Sequence, residues 1–446
     1  MNFLQVLLVF VVAAPGLVFA VLAALWLAGY ATKERTVSRI TALTFSLSIA
    51  AVAAIFWEVG LRGAGTISVA FGNWLAVGEY RFPLVLMLDR LSLPFFGLTV
   101  ALAGLIGQFS VTYLHRERGF LRFFLLLHLF TFGSLLAFSA GSFDLLVGGW
   151  EIVGITSVLL IAFFQQRPAP VENGLRVFGV YRACDIGLLV GVFAMHHWTG
   201  GASFYRGLPA MSPAQATTVC LLLLLAAAGK AAQVPFSGWL PRAMEGPTPS
   251  SAIFYGAISI HAGAYLLLRV QPMVVESHLA SGLVIATGLA TAIHGTMAGR
   301  ASADAKTSLA YASLTQVGVV FVEIGMGWKW IAVAHILGHA TVRTLQFLRA
   351  PSMLHDYHKM HSAVGGEISR TGEHLETILP ARFHLWLYRW SLDRGHLDTI
   401  LDRWAIDPLM WLSGLFARLD AAGGGSTARL SERRLPLHRA AGRGDM

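Results

Sequence analysis

Apolar runs of about twenty residues recur along this chain, and they limit what it can become more than any single motif does. The first covers residues 3–28, and others follow at about 40–60, 91–112, 121–140, 144–164, 174–197, 214–234, 251–270, 279–299, 307–327 and 329–348. At ~1.5 Å per residue, roughly 20 helical residues cross the hydrocarbon core of a bilayer. The expectation is an all-α polytopic membrane protein with about eleven transmembrane helices. Composition agrees: 55% of residues are hydrophobic and 13% charged, too apolar for a soluble domain of 446 residues. The first run is too long for a signal-peptide core and no positive region precedes it, so it is expected to be a retained span.

Charge in the connections orients the spans. Lys33, Arg35 and Arg39, then Arg116, Arg118 and Arg122, then Arg167, Arg176 and Arg182, then Arg242, then Arg300 and Lys306, and finally Arg349 fall in alternate connections. The intervening ones are poor in Lys and Arg apart from Arg62, Arg81, Arg90, Arg206 and Lys329. The positive-inside rule then predicts an outside N-terminus and a cytoplasmic C-terminus. The net charge of +9 belongs to such loops and to the lipid surface, and nucleic acid is excluded as a partner. Cys184 and Cys220 lie in apolar runs, which removes a disulfide framework and a cysteine metal site.

The organisation predicted from this reading begins with N-terminal spans and an outer hairpin over 1–80, where VAFGNWLAV and YRFPLVLML flank a Gly-Glu turn. A translocating helical bundle follows over 81–349, then a polar cytoplasmic loop over 350–379. Residues 380–420 carry Trp, Leu and Ile at helical spacing among Arg and Asp, as expected of an amphipathic helix on the lipid surface or against a partner. The Gly-rich, basic tail 421–446 reads as disordered.

Ionisable residues inside the apolar runs are the chemical inventory. Each costs roughly 2.5–3.5 kcal/mol at the centre of a span, so it marks function or a partner. Lys230 ends one run in TVCLLLLLAAAGKAAQVPFSGWL, with Pro235 just beyond. Proline removes an N–H and frees a carbonyl one turn back, which predicts a discontinuous helix near Lys230 and Pro235. Glu151 lies within FDLLVGGWEIVGITSVLLIAFF, about two turns from Asp144. It and Lys230 would form a proton-exchanging pair if the fold brings them close; snorkelling to an interface is the alternative for each. Asp185 sits three residues from Arg182, as expected of either an ion pair or a relay member.

His261 is in the middle of the run after the break, where a proton-transfer role and a hydrogen-bonded core histidine are both open, and Lys306 opens a later span, where a helix-end anchor is the simpler reading. His335, His339 and Arg343 recur at four-residue spacing on one helix face. With an arginine in that stripe and no carboxylate nearby in sequence, a hydrated polar face is expected rather than a metal site. Neither catalytic residues nor bound cofactors are expected in this chain.

WEIVGITS, GKAAQVPFSGWLPRAMEGPTPSSA, DAKTSLAYASLTQVG and HILGHATVRTLQF, in that order, resemble the antiporter-like, proton-translocating subunits of respiratory complex I, most closely the NuoL type, over about residues 80–355. The resemblance implies a proton path along the membrane midplane through Glu151, Lys230, a residue of the following helix and Lys306. Three features depart from that pattern. Tyr255 stands where the complex I subunits carry a histidine, with His261 six residues later and about 120° away around an α-helix. Arg343 replaces a lysine, and arginine does not release its proton at neutral pH. The family's second broken helix and its lysine are not matched.

SGWLPRAMEGPTPSSAIFYGAISIHAGAYLLLR and LRAPSMLHDYHK, with those departures, resemble the DabB family, the membrane subunits of a two-part bacterial inorganic-carbon accumulation system. That resemblance implies an inner-membrane subunit conducting protons or sodium. Its cytoplasmic partner would resemble a zinc beta-carbonic anhydrase, the DabA type, with the zinc in the partner. A subunit of complex I or of a multisubunit cation/proton antiporter is the alternative in the same class. A non-conducting scaffold for the partner is the alternative in another.

Overall fold

In a solvent that offers no hydrogen bonds each apolar run must close its own backbone ladder, and in the computed structural model the runs do so as helices. The structure describes residues 1–364, apart from positions 31, 64, 79, 206, 209 and 303, together with 380–401 and scattered positions from 403 to 418. The order is α1 (Phe3–Leu27), α2 (Glu34–Phe56), β1 (Ile67–Val77), β2 (Tyr80–Leu88), α3 (Ser92–Tyr113), α4 (Phe120–Phe138), α5 (Phe143–Ile161), α6 (Pro168–Thr199) and α7 (Pro213–Lys230). There follow α8 (Trp239–Arg242), α9 (Thr248–Ser251), α10 (Ser259–Arg269), α11 (Gln271–Glu276), α12 (His278–Arg300), α13 (Ala305–Gly325), α14 (Lys329–Val364) and α15 (Ala381–Leu392). Ten described segments are long and apolar enough to cross a membrane, and the first part of α14 covers the eleventh expected run.

The expected hairpin forms, with β1 antiparallel to β2 from the Ile67–Leu88 pair to the Val77–Tyr80 pair around the tip. Its base is buried against α1 and α5, and the tip exposes Phe71 and Trp74. Asp89, just past β2, takes a bidentate pair from Arg269 at 2.5 and 3.2 Å, and the same guanidinium donates to Tyr265 Oη. That buried clamp ties the hairpin to the end of α10.

The helix break begins at Lys230 itself. Ala232 takes a positive φ of 52°, Gln233 N–H reaches back to Ala228 O, and a short 3₁₀ turn at Phe236–Gly238 leads into α8. The carbonyl that Pro235 leaves without its helical donor is Ala231 O, and the Gln233 side-chain amide donates to it at 2.9 Å. Trp239 Nε1 donates to Gly229 O at 3.0 Å, and Val234 N–H donates to Thr291 Oγ1. The interruption thus survives at membrane depth because side chains from both flanks replace the lost ladder.

The second half of the break, Thr248–Arg269, is buried along its whole length, whereas the other spans keep a face open. It contains a π-helical stretch, Ala252–Ala257, between α9 and α10. Wider turns of this kind recur at functional positions.

Two expectations change at the C-terminal side. Helix α14 continues past Arg349 to Val364, where the sequence reading sets a polar loop. Polarity does not preclude a helix there, since Met, Leu and Lys all have favourable helix propensity. The remainder of that loop, 365–379, and the tail, 421–446, lie outside the described residues. Helix α15 is amphipathic as expected, with the Trp390 ring 6.1 Å from that of His294 on α12 while Phe383 and Trp386 stay exposed. Residues 398–446 separate as a second unit.

Candidate functional site

Close packing of α6 on α7 sets the position of the buried lysine. A Cβ on Gly229 would meet Cys184 Cβ at 2.3 Å, so glycine lets the two backbones approach at the residues next to Asp185 and Lys230. Lys230 is 1% exposed. Its ammonium donates to Trp150 O at 3.1 Å and lies 4.8 Å from the Trp150 ring centroid and 4.4 Å from that of Tyr181. A carbonyl and two aromatic faces hold the charge, an arrangement that gains strength when dry.

Trp150 also donates from Nε1 to Asp185 Oδ1 at 2.6 Å. The other Asp185 oxygen accepts from Arg182 at 2.8 Å, and the same Arg182 nitrogen is ion-paired with Glu151. Five residues from three helices therefore form one network, running Lys230, Trp150, Asp185, Arg182, Glu151. Glu151 and Lys230 are brought to the same cluster but not into direct contact, because Trp150 and Arg182 stand between them. The role of Arg182 as a bridge between two carboxylates is absent from the sequence reading, which sees only its spacing to Asp185.

A second group forms where α10 meets α13 and α14. His261 Nδ1 is bonded to Ala257 O, its Nε2 lies 3.0 Å from His339 Nδ1, and His339 Nε2 accepts from Arg343 Nε at 3.5 Å. Arginine only donates, so the direction of the chain is set: Arg343 to His339, His339 to His261, His261 to the carbonyl. His335 faces two oxygens, Glu323 Oε1 at 2.9 Å and Gln316 Oε1 at 3.0 Å, and its ring centroid is 6.4 Å from that of His339.

The stripe, with no carboxylate nearby in sequence, meets one in the fold, from the helix before it. Glu323 is a lone carboxylate near the end of an apolar run, the same signal that marks Glu151, and by that rule the sequence reading should have included it. Among the described residues, no cluster of three or more His, Cys, Asp or Glu side chains is arranged to hold a metal.

Tyr255 and His261 face different neighbours: the Tyr255 ring packs 5.7 Å from Trp239, on the Lys230 side, and His261 meets His339. Between the groups, Ser157 and Ser259 hydroxyls lie 3.4 Å apart, and Ser237, Ser251 and Tyr255 bury hydroxyls that no protein group satisfies among the described residues. Such unused hydrogen-bonding capacity suits a wetted passage better than a dry core. Lys306 lies apart from both groups. Its ammonium donates to Met244 O and Gly246 O, each at 3.1 Å, and so closes the carbonyls at the far side of the helix break.

Similarity to known proteins covers these elements. Residues 140–370, just over half of the chain, match the family described as NADH:quinone oxidoreductase/Mrp antiporter, TM. Residues 74–124 match a second, described as NADH-Ubiquinone oxidoreductase (complex I), chain 5 N-terminus. NADH-quinone oxidoreductase subunit L of Mycobacterium tuberculosis is 35% identical over 292 residues, 64% of this chain and 46% of that one. NADH-ubiquinone oxidoreductase chain 5 of Cryptococcus neoformans is 33% identical over 307 residues, 67% of this chain and 46% of that one. The chain thus spans about half the length of these curated relatives. In the Mrp complex from Dietzia sp., one solved chain superimposes with a TM-score of 0.65 at 26% identity, over 76% of this chain and 37% of that one.

Proposed function

Because this chain belongs to the NADH:quinone oxidoreductase/Mrp antiporter family of membrane subunits, we propose that it conducts protons through α5, α6, α7 and α10 and couples their flow to a partner protein. The observation that carries this reading is Lys230, fully buried at the end of a helix that stops at membrane depth and tied through Trp150 and Arg182 to two carboxylates. Arg182 keeps its proton, so Lys230 is the group of the network able to give one up and the carboxylates are those able to receive it. The Ser259 hydroxyl, 3.4 Å from that of Ser157, precedes His261 by two residues, and His261 meets His339.

The partner in this proposal is a carbonic-anhydrase-like zinc protein of the DabA type on the cytoplasmic face, with carbon dioxide hydration as the coupled reaction. Its support is the likeness of the Gly-Pro-Thr-Pro region to the DabB family, together with Tyr255, His261 and Arg343 at positions where the complex I pattern differs. The complex I or Mrp-type antiporter subunit is the second reading, favoured by the relatives that share this bundle. In either case the N-terminus lies outside and the zinc, if one is used, belongs to the partner.

Two measurements test the proposal. Co-purification from native membranes should bring down a zinc protein; quinone-reductase subunits or antiporter subunits in its place would establish the second reading. Proton uptake into vesicles should vanish in Glu151→Gln/Lys230→Met while the folded protein is retained. A double variant that still conducts would overturn the Glu151–Lys230 relay, and a wild type that does not conduct would leave a scaffold.

A further inference from the structure

Two turns before Glu151 on α5, a histidine and a carboxylate are buried together in a place that the Lys230 network does not use. Asp144 and His196 side chains are 5% and 3% exposed, and His196 Nε2 lies 2.8 Å from Asp144 Oδ1. Each keeps one buried atom with no protein partner among the described residues, Asp144 Oδ2 and His196 Nδ1. A pair serving only to pin α5 to α6 would be expected to have its remaining atoms satisfied as well.

The surroundings form a built enclosure at the hairpin end of the bundle. From β2, the Phe82 and Tyr80 rings lie 4.9 and 6.1 Å from the His196 ring. The segment after α6 closes over the start of α5 through Phe143 N–H to Ala202 O and Phe204 N–H to Gly141 O. The nearest fixed charge on α10, Arg269, lies over the Phe204 ring at 5.0 Å and is already bound by Asp89. Aromatic rings and backbone therefore isolate the pair from other charges.

Asp144 and Glu151 are seven residues apart, so they share one face of α5 at a rise of roughly 10 Å. Gly148 stands between them on that face, exposed, and a Cβ built there meets nothing within 4 Å. Gly148 therefore places no side chain between the two carboxylates.

We propose that Asp144 and His196 form a second proton-exchange site, which passes protons between the aqueous phase at the hairpin end and the Glu151–Arg182–Asp185 cluster; this rests on the proton-conducting reading above. In the step, a hydronium ion gives its proton to His196 Nδ1, where an N–H bond forms as an O–H bond breaks. The imidazolium hands the Nε2 proton to Asp144 Oδ1. The protonated carboxyl then turns about its Cβ–Cγ bond and releases that same proton along the Gly148 strip to the Glu151 carboxylate; the imidazole, left with its proton on Nδ1, turns its ring over to restore the starting pair.

The full-length chain in vesicles loaded with a pH-sensitive dye, driven by a potassium diffusion potential, provides the test. Asp144→Asn and His196→Gln both keep the mutual hydrogen bond and remove one exchangeable proton. Each should lower flux by about a hundredfold, the scale of losing a positioned acid or base, with unchanged recovery of monodisperse protein. Asp144→Glu should keep most of the flux. Wild-type flux in Asp144→Asn would overturn the site. If the polar variants fail to fold, Asp144→Leu/His196→Leu removes the pair altogether; flux in that double variant would likewise overturn it, and a folded, silent one supports it. A silent wild type would instead strike the conducting reading on which the site depends.

Discussion

The Lys230 network and the histidine group solve the same problem, keeping polar groups at membrane depth, with opposite materials. Around Lys230 the charges are explicit and balanced: Lys230 and Arg182 against Glu151 and Asp185. Around His261 one arginine and one carboxylate flank three imidazoles, each of which offers one ring nitrogen as donor and the other as acceptor when neutral. The first arrangement holds its charges in fixed geometry, with Glu151 and Arg182 side chains still 31% and 39% exposed. The second is a directional chain of donors that has to reorient after each transfer. The difference teaches where a proton would wait and where it would pass: next to matched charges in the first, along imidazoles in the second.

The sharpest way to break that comparison is to remove the one releasable proton of the first group. Lys230→Met keeps the length and packing of the stem, and the Asp185 carboxylate still has Arg182 and Trp150. Flux into vesicles should fall to the level of empty vesicles while the protein stays folded; conduction by Lys230→Met would place the whole path in the histidines.

Next in size is Arg182→Gln. It leaves Asp185, 2% exposed, with Trp150 as its remaining close donor, and the loss of a charged hydrogen bond there should cost about 1.5–3 kcal/mol. Thermal unfolding in detergent measures this, and adding Asp185→Asn should recover part of it. If Arg182→Gln is as stable as the wild type, the network is not held by its charges. On the other side, His339→Phe interrupts the donor chain between Arg343 and His261 while Gln346 Oε1 still accepts from the Arg343 guanidinium. Its stability loss should be nearer ~1 kcal/mol, with slower flux rather than none. An equal loss of stability in the two variants would erase the contrast between the groups.

What was legible in the sequence follows the same division. The spans, the hairpin and the break were readable because each has a local cause: an apolar run, a turn between alternating strands, a proline after a buried lysine. Lys230 stood out because a cation in an apolar run has nowhere inexpensive to go. The partnerships were not readable. His261 and His339 are 78 residues apart and Lys230 and Trp150 are 80, and no spacing rule reaches that far. Arg182 showed only its partner on its own helix, and Tyr265 with Arg269 gave no hint of Asp89. Nothing local ties Asp144 at the start of α5 to His196, because burial of the pair depends on a hairpin closing above it.

The smallest perturbation tests whether the position of the ammonium matters or only its presence. Gly154 lies one turn along α5 from Trp150, and a Cβ added there would stand 2.9 Å from Lys230 Nζ, with Arg182 Nη2 and the Tyr181 ring at 3.7 Å. The crowded atom is the far end of a flexible side chain, so Gly154→Ala should fold without difficulty, and a helical glycine replaced by alanine gains roughly 0.5–1 kcal/mol from backbone entropy. The cost falls on geometry: the ammonium must withdraw by a few tenths of an ångström from the methyl group, which disturbs its place between the carbonyl and the two rings. If charge balance alone governs the first group, Gly154→Ala conducts like the wild type and is slightly more stable. If the Trp150 carbonyl and the aromatic faces set the exchange, flux falls severalfold in a protein that unfolds no earlier. Flux and unfolding temperature measured on the same preparation separate the two, and a variant that both conducts normally and melts later would show the cradle to be passive.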